Sequence, residues 1–500
     1  MEQGMSMHTH WLARWTWLAA AVVVVTGCGG GSGSSDAPAA PAPAPAPAPV
    51  ASDRIEPYDT AVAKAVPAAT AAAQPAPAVP SGSAAVARIA LGPVADGALP
   101  AATTTLGAAE PQIGVARAMP ALALAADVST LLRWADTGRG TRAAAVSITS
   151  EGAKGVRLGV LVRGLPSGAV LRFYAQAGGA VTQVPAEDVL SAIARNLQAG
   201  TPDEAAHTYW SPDFGGPETT LEVEIPNSAD PSAVQLAVPR LSHFVLSPGE
   251  AEAQGLAKVG ESGTCEVDVM CKPEYLSQGR SVVRMIFVRG GNSYLCSGTL
   301  LNDAGSSSTP YLLSANHCIS SQAEASSLVT DWFYRSTACN SGVADGGTQR
   351  RTGGATLLYA TAATDTSFMR LNDAPPAGVV YAGSYFGSLD PGLALAGVHH
   401  PKGDLQKFSA GILLRFSSCA NELCYTSDAA NGTFLTMGWQ QGVTEGGSSG
   451  SSLFHTIGDR RYVVGQLYGG TSSCQTPAGQ DHYGRFDTAY RAALKQWLNP

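Results

Sequence analysis

The segment Glu445-Gly446-Gly447-Ser448-Ser449-Gly450-Ser451-Ser452 wraps Ser449 in glycines. It follows a histidine beside a cysteine (Ala315-Asn316-His317-Cys318) and an aspartate, Asp365, that opens an apolar segment. A serine hydroxyl attacks near neutral pH only if a base takes its proton and an acid orients that base. His317, Asp365 and Ser449 are the candidates for these roles. The glycines allow a tight turn that aims two backbone N–H groups, those of Gly447 and Ser449, at an anionic oxygen, a contribution of roughly 3–4 kcal/mol per donor. The order also constrains the fold: His-Asp-Ser runs along β-barrel chains, whereas Asp-His-Ser and Ser-Asp-His belong to two unrelated α/β scaffolds. Taken singly, each residue has a plainer role as a packed histidine, a turn-capping aspartate or a loop serine. Ser448 is a second possible nucleophile, but the Ser-Gly-small pattern that follows fits Ser449.

With 500 residues the chain has room for two or three domains. Its charged fraction of 14% is low beside an average of ~25%, and a net charge of -8 argues against nucleic acid as a partner. Residues 1–27 carry Arg14 and an apolar run, Ala19 to Val25, shorter than the ~20 residues of a membrane span. The ending Val25-Thr26-Gly27-Cys28 resembles the bacterial lipoprotein processing box. That implies a signal peptide (1–27), lipidation at Cys28 and an exported, membrane-anchored precursor; the alternative is an ordinary secretory signal. Of nine cysteines Cys28 stands apart, and the other eight (Cys265, Cys271, Cys296, Cys318, Cys339, Cys419, Cys424, Cys474) crowd the last half. An even set in an exported chain reads as four disulfides.

A Gly/Ser and Ala-Pro tract over 28–50 is expected to be an extended tether. Residues 51–126 stay rich in Ala and Pro, and no structure is assigned there. Period two then sets in: Val156, Leu158, Val160 and Val162 alternate with Arg157 and Arg163, and Leu221, Val223 and Ile225 with Glu222 and Glu224. Half-buried strands with one polar side are expected, with further strands at 169–175 and 234–238, giving a cysteine-free β domain over 127–258. Residues 259–500 hold short apolar runs between glycine-rich turns, a length and pattern suited to two packed antiparallel barrels. Tyr490, Leu494 and Trp497 then predict an amphipathic helix over 487–498. No clustered metal-ligand spacing occurs, so no metal and no cofactor are expected.

Six ordered segments, 264–271, 311–318, 398–401, 442–451, 465–474 and 481–486, together resemble the bacterial lysyl endopeptidases, which are chymotrypsin-like serine peptidases. They include Val398-His399-His400-Pro401 and Asp481-His482-Tyr483-Gly484-Arg485-Phe486. The resemblance spans 259–500. It implies barrels of chymotrypsin type for that span, so the expected fold is all-β: two antiparallel β-barrels with a C-terminal helix, preceded by the small β-rich domain, whose place upstream of a protease makes it a pro-domain rather than a plain structural module. It also implies disulfides Cys265–Cys474, Cys271–Cys339 and Cys296–Cys318, leaving Cys419–Cys424 as a fourth. His399 and His400 are expected to be structural.

The same resemblance places the acid of the substrate pocket at Asp481, with Tyr468, Gly469 and Gly470 nearby; Glu445 is a rival. Family members carry a histidine stacked on a tryptophan where this chain has Tyr468, and 412–418 offers no tryptophan. The expected activity is exported endopeptidase cleavage after Lys by a Ser-His-Asp acyl-enzyme mechanism, with proteins or peptides as substrates and a monomeric mature protease. Two alternatives are a peptidase accepting both Arg and Lys, and a non-catalytic, lipid-anchored surface binding protein. Trypsin-like zymogens have an aspartate before the nucleophile to receive a freed N-terminal ammonium. This chain has Ser448 there, so that switch cannot operate; self-cleavage near Lys258 is expected instead, possible because a Lys stands at that junction.

Overall fold

A computed structural model describes residues 52–62, 75–94, 110–246, 262–420 and 423–500. The expected signal peptide, tether, lipidation site at Cys28 and processing site at Lys258 lie outside the described residues.

The C-terminal half follows its strand periodicity. Ala394–His399, Lys407–Ala420, Phe434–Gln441, Gln480–Arg485, Arg460–Gly470 and Ser452–Ile457 pair antiparallel in that order, and the last pairs with the first. This closed six-stranded barrel leaves none of its strands as an open edge. The preceding sheet runs Gln349–Arg351, Val329–Trp332, Val282–Arg289, Asn292–Leu301, Tyr311–Ala315, Thr366–Leu371 and Ala355–Thr361. No ladder among the described residues joins its two ends, so it is the more open of the two expected antiparallel barrels, a half-barrel beside the closed one.

The C-terminal segment is helical over Phe486–Ala489, Tyr490–Leu494 and Lys495–Leu498, the middle turn in π geometry. Phe486, Tyr490, Leu494 and Leu498 bury into one cluster with Val282, Leu301 and Phe368 from the half-barrel and Val398, Phe408 and Val463 from the closed barrel. The helix therefore fastens the two sheets together, and at the interface between them the loop carrying Ser449 hydrogen-bonds to Ser297 of the half-barrel.

The N-terminal domain is a β-sandwich. Val146, Ile148, Phe173, Leu221 and Val223 of one sheet face Val156, Leu158, Val160, Leu236 and Leu241 of the other. It begins earlier than the expected boundary at 127: Val86–Leu91 pairs parallel with Thr141–Ser150, and Gln112–Ala118 pairs with Gln235–Phe244. The expectation of a polar, solvent-facing side is also corrected. Glu222 is fully buried, accepting from the amides of Ala78 and Val79, both at 2.9 Å, and from Arg172 Nη1 at 2.9 Å. Arg157 is buried against the C-terminal half, donating to Ser211 O at 2.7 Å and Ser327 O at 2.6 Å. Period two marks which face each residue takes; here a second layer covers both faces, and its buried charges are hydrogen-bonded as burial requires.

Gln112–Ala118 also adds to the edge of Asn292–Leu301, with Gly114 opposite Ser293, so one sheet runs through both domains. Ile113 and Phe244 of the sandwich share a buried cluster with Ile286, Leu295 and Val329 of the half-barrel. Alongside it, Arg350 bridges Asp213 of the sandwich at 3.0 Å and Asp331 of the half-barrel at 2.8 Å, and Asp331 also holds Arg284 at 2.7 Å.

Candidate active site

His317 leaves the end of Tyr311–Ala315, and Asp365 occupies the turn between Ala355–Thr361 and Thr366–Leu371. Because Tyr311–Ala315 pairs with Thr366–Leu371, the two residues lie at one end of the same ladder. Asp365 Oδ1 accepts the His317 amide at 2.9 Å, and Oδ2 stands 2.8 Å from Nδ1. That contact assigns the hydrogen to Nδ1 and leaves Nε2 as the basic nitrogen; Nε2 is buried and makes no hydrogen bond within the described protein. Asp365 adopts φ +48°, a left-handed conformation that Asp tolerates better than most residues. Gln466 of the closed barrel fixes the turn by donating to Thr364 O at 2.7 Å.

Burial by itself would push the His317 pKa down, but the Asp365 carboxylate, through charge and hydrogen bond, holds it above its ordinary value. Glu110 of the N-terminal domain pushes the same way. Glu110 is paired with Arg289, whose Nη2 donates to His317 O and Cys318 O, both at 2.6 Å.

The serine loop is folded against this corner. Ser297 donates its amide to Ser449 O at 2.8 Å and its hydroxyl to Gly447 O at 2.9 Å. The Lys402 amide donates to Gly446 O at 2.6 Å, and Gly450 N to Leu467 O at 2.9 Å. Gly447 and Gly450 have φ of +96° and +80°. A Cβ at Gly450 would lie 2.6 Å from Ser297 O and 2.8 Å from Ala315 N, so only glycine lets the loop rest on the strand end that leads to His317.

Asp481 is buried, 1% exposed, within the closed barrel, and Gly470 is its partner across the ladder. Its Oδ2 accepts from Trp439 Nε1 at 2.6 Å, from Thr444 Oγ1 at 2.7 Å and from Ser472 Oγ, while Oδ1 takes, among the described residues, the Ser472 amide alone, at 3.2 Å. Burial raises its pKa, and these donors offset part of the rise. Tyr468, Gly469 and Gly470 edge a cavity of about 390 Å³ with Gly479, Gln480 and His482. A larger cavity, about 700 Å³, lies between Ala199–Ala205 and Ser320–Glu324 and holds none of these groups.

The rival acid Glu445 is otherwise engaged: its Oε2 accepts from the Gly263 amide at 2.7 Å and its Oε1 faces Lys402 Nζ at 3.3 Å. Tyr468 stands edge-on to His317, with ring centroids 6.0 Å apart, and packs on Phe434. All four disulfides form as the resemblance implied: Cys265–Cys474, Cys271–Cys339, Cys296–Cys318 and Cys419–Cys424. The two groups of candidate metal-binding side chains among the described residues consist of these disulfide sulfurs with His317 or His482. Sulfurs bonded to each other are not thiolate ligands.

Sequence reasoning missed Trp439, Thr444 and Ser472 as the donors to Asp481. Their signal was present but weak, since Trp439 and Thr444 lie just upstream of the serine loop and Ser472 sits beside Cys474. It also missed Arg289, whose partners are more than 25 residues away.

Two sequence-family models match: the lysyl endopeptidase C-terminal domain over residues 259–484 and the lysyl endopeptidase N-terminal domain over 90–245. The lysyl endopeptidase of Pseudomonas aeruginosa is 33% identical over 394 residues, covering 76% of this chain and 79% of that one. Among solved structures, the thermostable serine protease AL20 from an extremophilic microorganism aligns with 12% identity and a TM-score of 0.30, over 44% of this chain and 98% of its own. The active form of the Rv3671c protease of M. tuberculosis aligns with 13% identity and a TM-score of 0.31, over 50% and 93%. At such scores these two alignments carry no weight beside the strand pairings above.

Proposed function

The chain belongs to the lysyl endopeptidase family and is a serine endopeptidase, and on that premise we propose that it cleaves peptide bonds on the carboxyl side of Lys. In this reading Ser449 Oγ attacks the scissile carbonyl while its proton passes to His317 Nε2. The imidazolium is held by Asp365, and the amides of Gly447 and Ser449 receive the oxyanion. His317 then returns the proton to the leaving amine, and water, activated by the same nitrogen, hydrolyses the acyl-enzyme. The double contact of Asp365 with His317, and the serine loop resting on Ala315, support these roles.

The carboxylate of Asp481 is the observation that carries the choice of Lys. Oδ2 is already occupied by three donors, and Oδ1 by one long one. A guanidinium binds a carboxylate best with its planar fork across both oxygens, whereas an ammonium is a point charge that one oxygen lone pair can receive. Asp481 therefore favours Lys over Arg.

The test is digestion of a mixed peptide library by the full chain and by Ser449→Ala, with the cleaved bonds read by mass spectrometry. Ser449-dependent cuts confined to Lys are expected; cuts after Arg as well would refute the selectivity, and absence of Ser449-dependent cuts would refute the mechanism.

We also propose that the precursor is exported and lipidated at Cys28, and that it cleaves itself near Lys258, four residues before Ser262. Four disulfides in the catalytic half favour an oxidising compartment. Fatty-acid labelling lost in Cys28→Ser, and a mature N-terminus at Val259, are the expected results. An N-terminus well inside 127–250 would overturn the processing site.

A further inference from the structure

Behind the serine loop lies a buried set of polar groups that the mechanism above does not use. His399, fully buried at the end of Ala394–His399, places Nδ1 2.8 Å from Ser448 Oγ. Ser448 Oγ in turn accepts the Glu445 amide at 3.3 Å. Because the hydroxyl oxygen takes that N–H, its own hydrogen is free to go to His399 Nδ1, and the neutral ring then carries its hydrogen on Nε2. Nε2 faces Glu266 Oε2 at 4.0 Å, longer than a hydrogen bond; the Glu266 side chain is 1% exposed, and among the described residues the backbone amide of Val443 is the donor that favours its charged form.

Glu266 belongs to the first described segment after Lys258, and that segment is tied to the serine loop and to two other segments. Gly263 donates to Glu445 Oε2 at 2.7 Å, Ser262 donates its amide and hydroxyl to Asp404 Oδ2 at 3.1 and 2.6 Å, and Cys265 is bonded to Cys474. Asp404 O stands 3.0 Å from His400 Nδ1, one residue from His399.

We propose that Glu266, His399 and Ser448 form an acid–histidine–serine array that touches no substrate but positions the oxyanion-binding turn, so that segment 262–266 sets the turn's geometry. The array does for this chain what the freed ammonium and the aspartate before the nucleophile do in trypsin-like zymogens, where Ser448 now stands. A neutral His399 is required, and burial keeps it so, pushing its pKa down to about 3, with His400 and Lys407 adding to the effect. Glu266 is pushed the other way, well above the ordinary carboxyl range, by burial and by Glu445 and Asp481, against the pull of Lys407. Both shifts favour the neutral forms, so the pair places no net charge in the barrel.

The inference rests on the reading that Ser449 is the nucleophile, and the experiment separates the two. The processed enzyme and its variants are compared for labelling of Ser449 by a fluorophosphonate and for kcat and KM on a Lys ester. Failure of the wild type to label at Ser449 would sink the nucleophile assignment whatever His399 does. With labelling established, His399→Ala and Ser448→Ala are each expected to lower kcat and the labelling rate roughly 10- to 100-fold with KM little changed, less than deletion of an oxyanion donor outright. His399→Asn, whose amide oxygen replaces Nδ1 as the acceptor for Ser448, is expected to recover most of the loss, as is Glu266→Gln relative to Glu266→Ala. Wild-type kcat in folded Ser448→Ala would overturn the array, and that variant decides the matter even if His399→Ala fails to fold. Equal losses in His399→Asn and His399→Ala would also overturn it, since simple packing predicts no rescue.

Discussion

Asp365 grips His317 at two points, backbone amide and ring nitrogen, from a turn whose own φ is +48°. One carboxylate thus fixes the position of the loop and the tautomer of the ring together. The strain of the left-handed turn, of order 1–3 kcal/mol, is offset by the hydrogen bonds that Asp365 and Gln466 make there.

Replacing Asp365 by Asn keeps the shape but not the charge. The pKa of His317, raised by Asp365, should fall, so the acid limb of the kcat/KM profile moves to lower pH. The rate itself should drop about 10³- to 10⁴-fold because the tautomer is no longer enforced. Glu110→Gln should shift the same limb in the same direction but less, since Glu110 is the weaker contributor. An unmoved limb in Asp365→Asn would contradict the assignment.

Gly450→Ala should be far more harmful than its size suggests. The new methyl meets Ser297 O and Ala315 N inside 3 Å at a left-handed position, so loop and strand end must separate. A lower Tm and a labelling rate at Ser449 down by at least about 100-fold are expected, the scale of losing one oxyanion donor.

Asp481→Asn should raise KM for Lys substrates at least about 30-fold, the scale of about 2–5 kcal/mol for stripping a buried cation of its partner. Its raised pKa has a second consequence. The carboxylate protonates at a higher pH than an ordinary aspartate, so KM for Lys peptides should climb on acidification before carboxyls of ordinary pKa titrate. Neutral ester substrates should not show that climb, and steady-state assays over a pH series would separate the two.

Asp331→Asn is a prediction about stability. Burial opposes the charge on Asp331, but Arg350 and Arg284 overcome it and hold the pKa below the ordinary range. Stability from a depressed carboxyl is present above its unfolded pKa and lost as pH falls toward the folded value. The variant leaves Arg284 and Arg350 without their shared partner, at a cost of about 3–5 kcal/mol. Urea unfolding of the Ser449→Ala background, which prevents autolysis, would measure it.

Much of the catalytic half was legible because its information is local or ordered along the chain. The apolar runs at 282–288, 311–314, 393–398 and 462–467 coincide with strands, and Tyr490, Leu494 and Trp497 lie in the C-terminal helix. The N-terminal half was legible only in part. Val86–Leu91 is rich in Ala and short, and it is a strand because Thr141–Ser150 offers it an edge. Glu222 and Arg157 looked like solvent-facing residues because alternation marks a face and is silent about what covers it.

The sequence by itself determined the order of His317, Asp365 and Ser449, the glycines that permit the turn, the cysteines available for pairing and the period of most strands. Each of these is a property of covalent order or of a few neighbouring residues. Only the tertiary structure decided that Gln112–Ala118 joins the catalytic sheet, that three donors crowd one oxygen of Asp481, and that His399 rather than water receives Ser448. Those outcomes depend on pairings between segments tens to hundreds of residues apart. Their register and burial are settled by the closing of shared cores, where an unpaired polar group is costly.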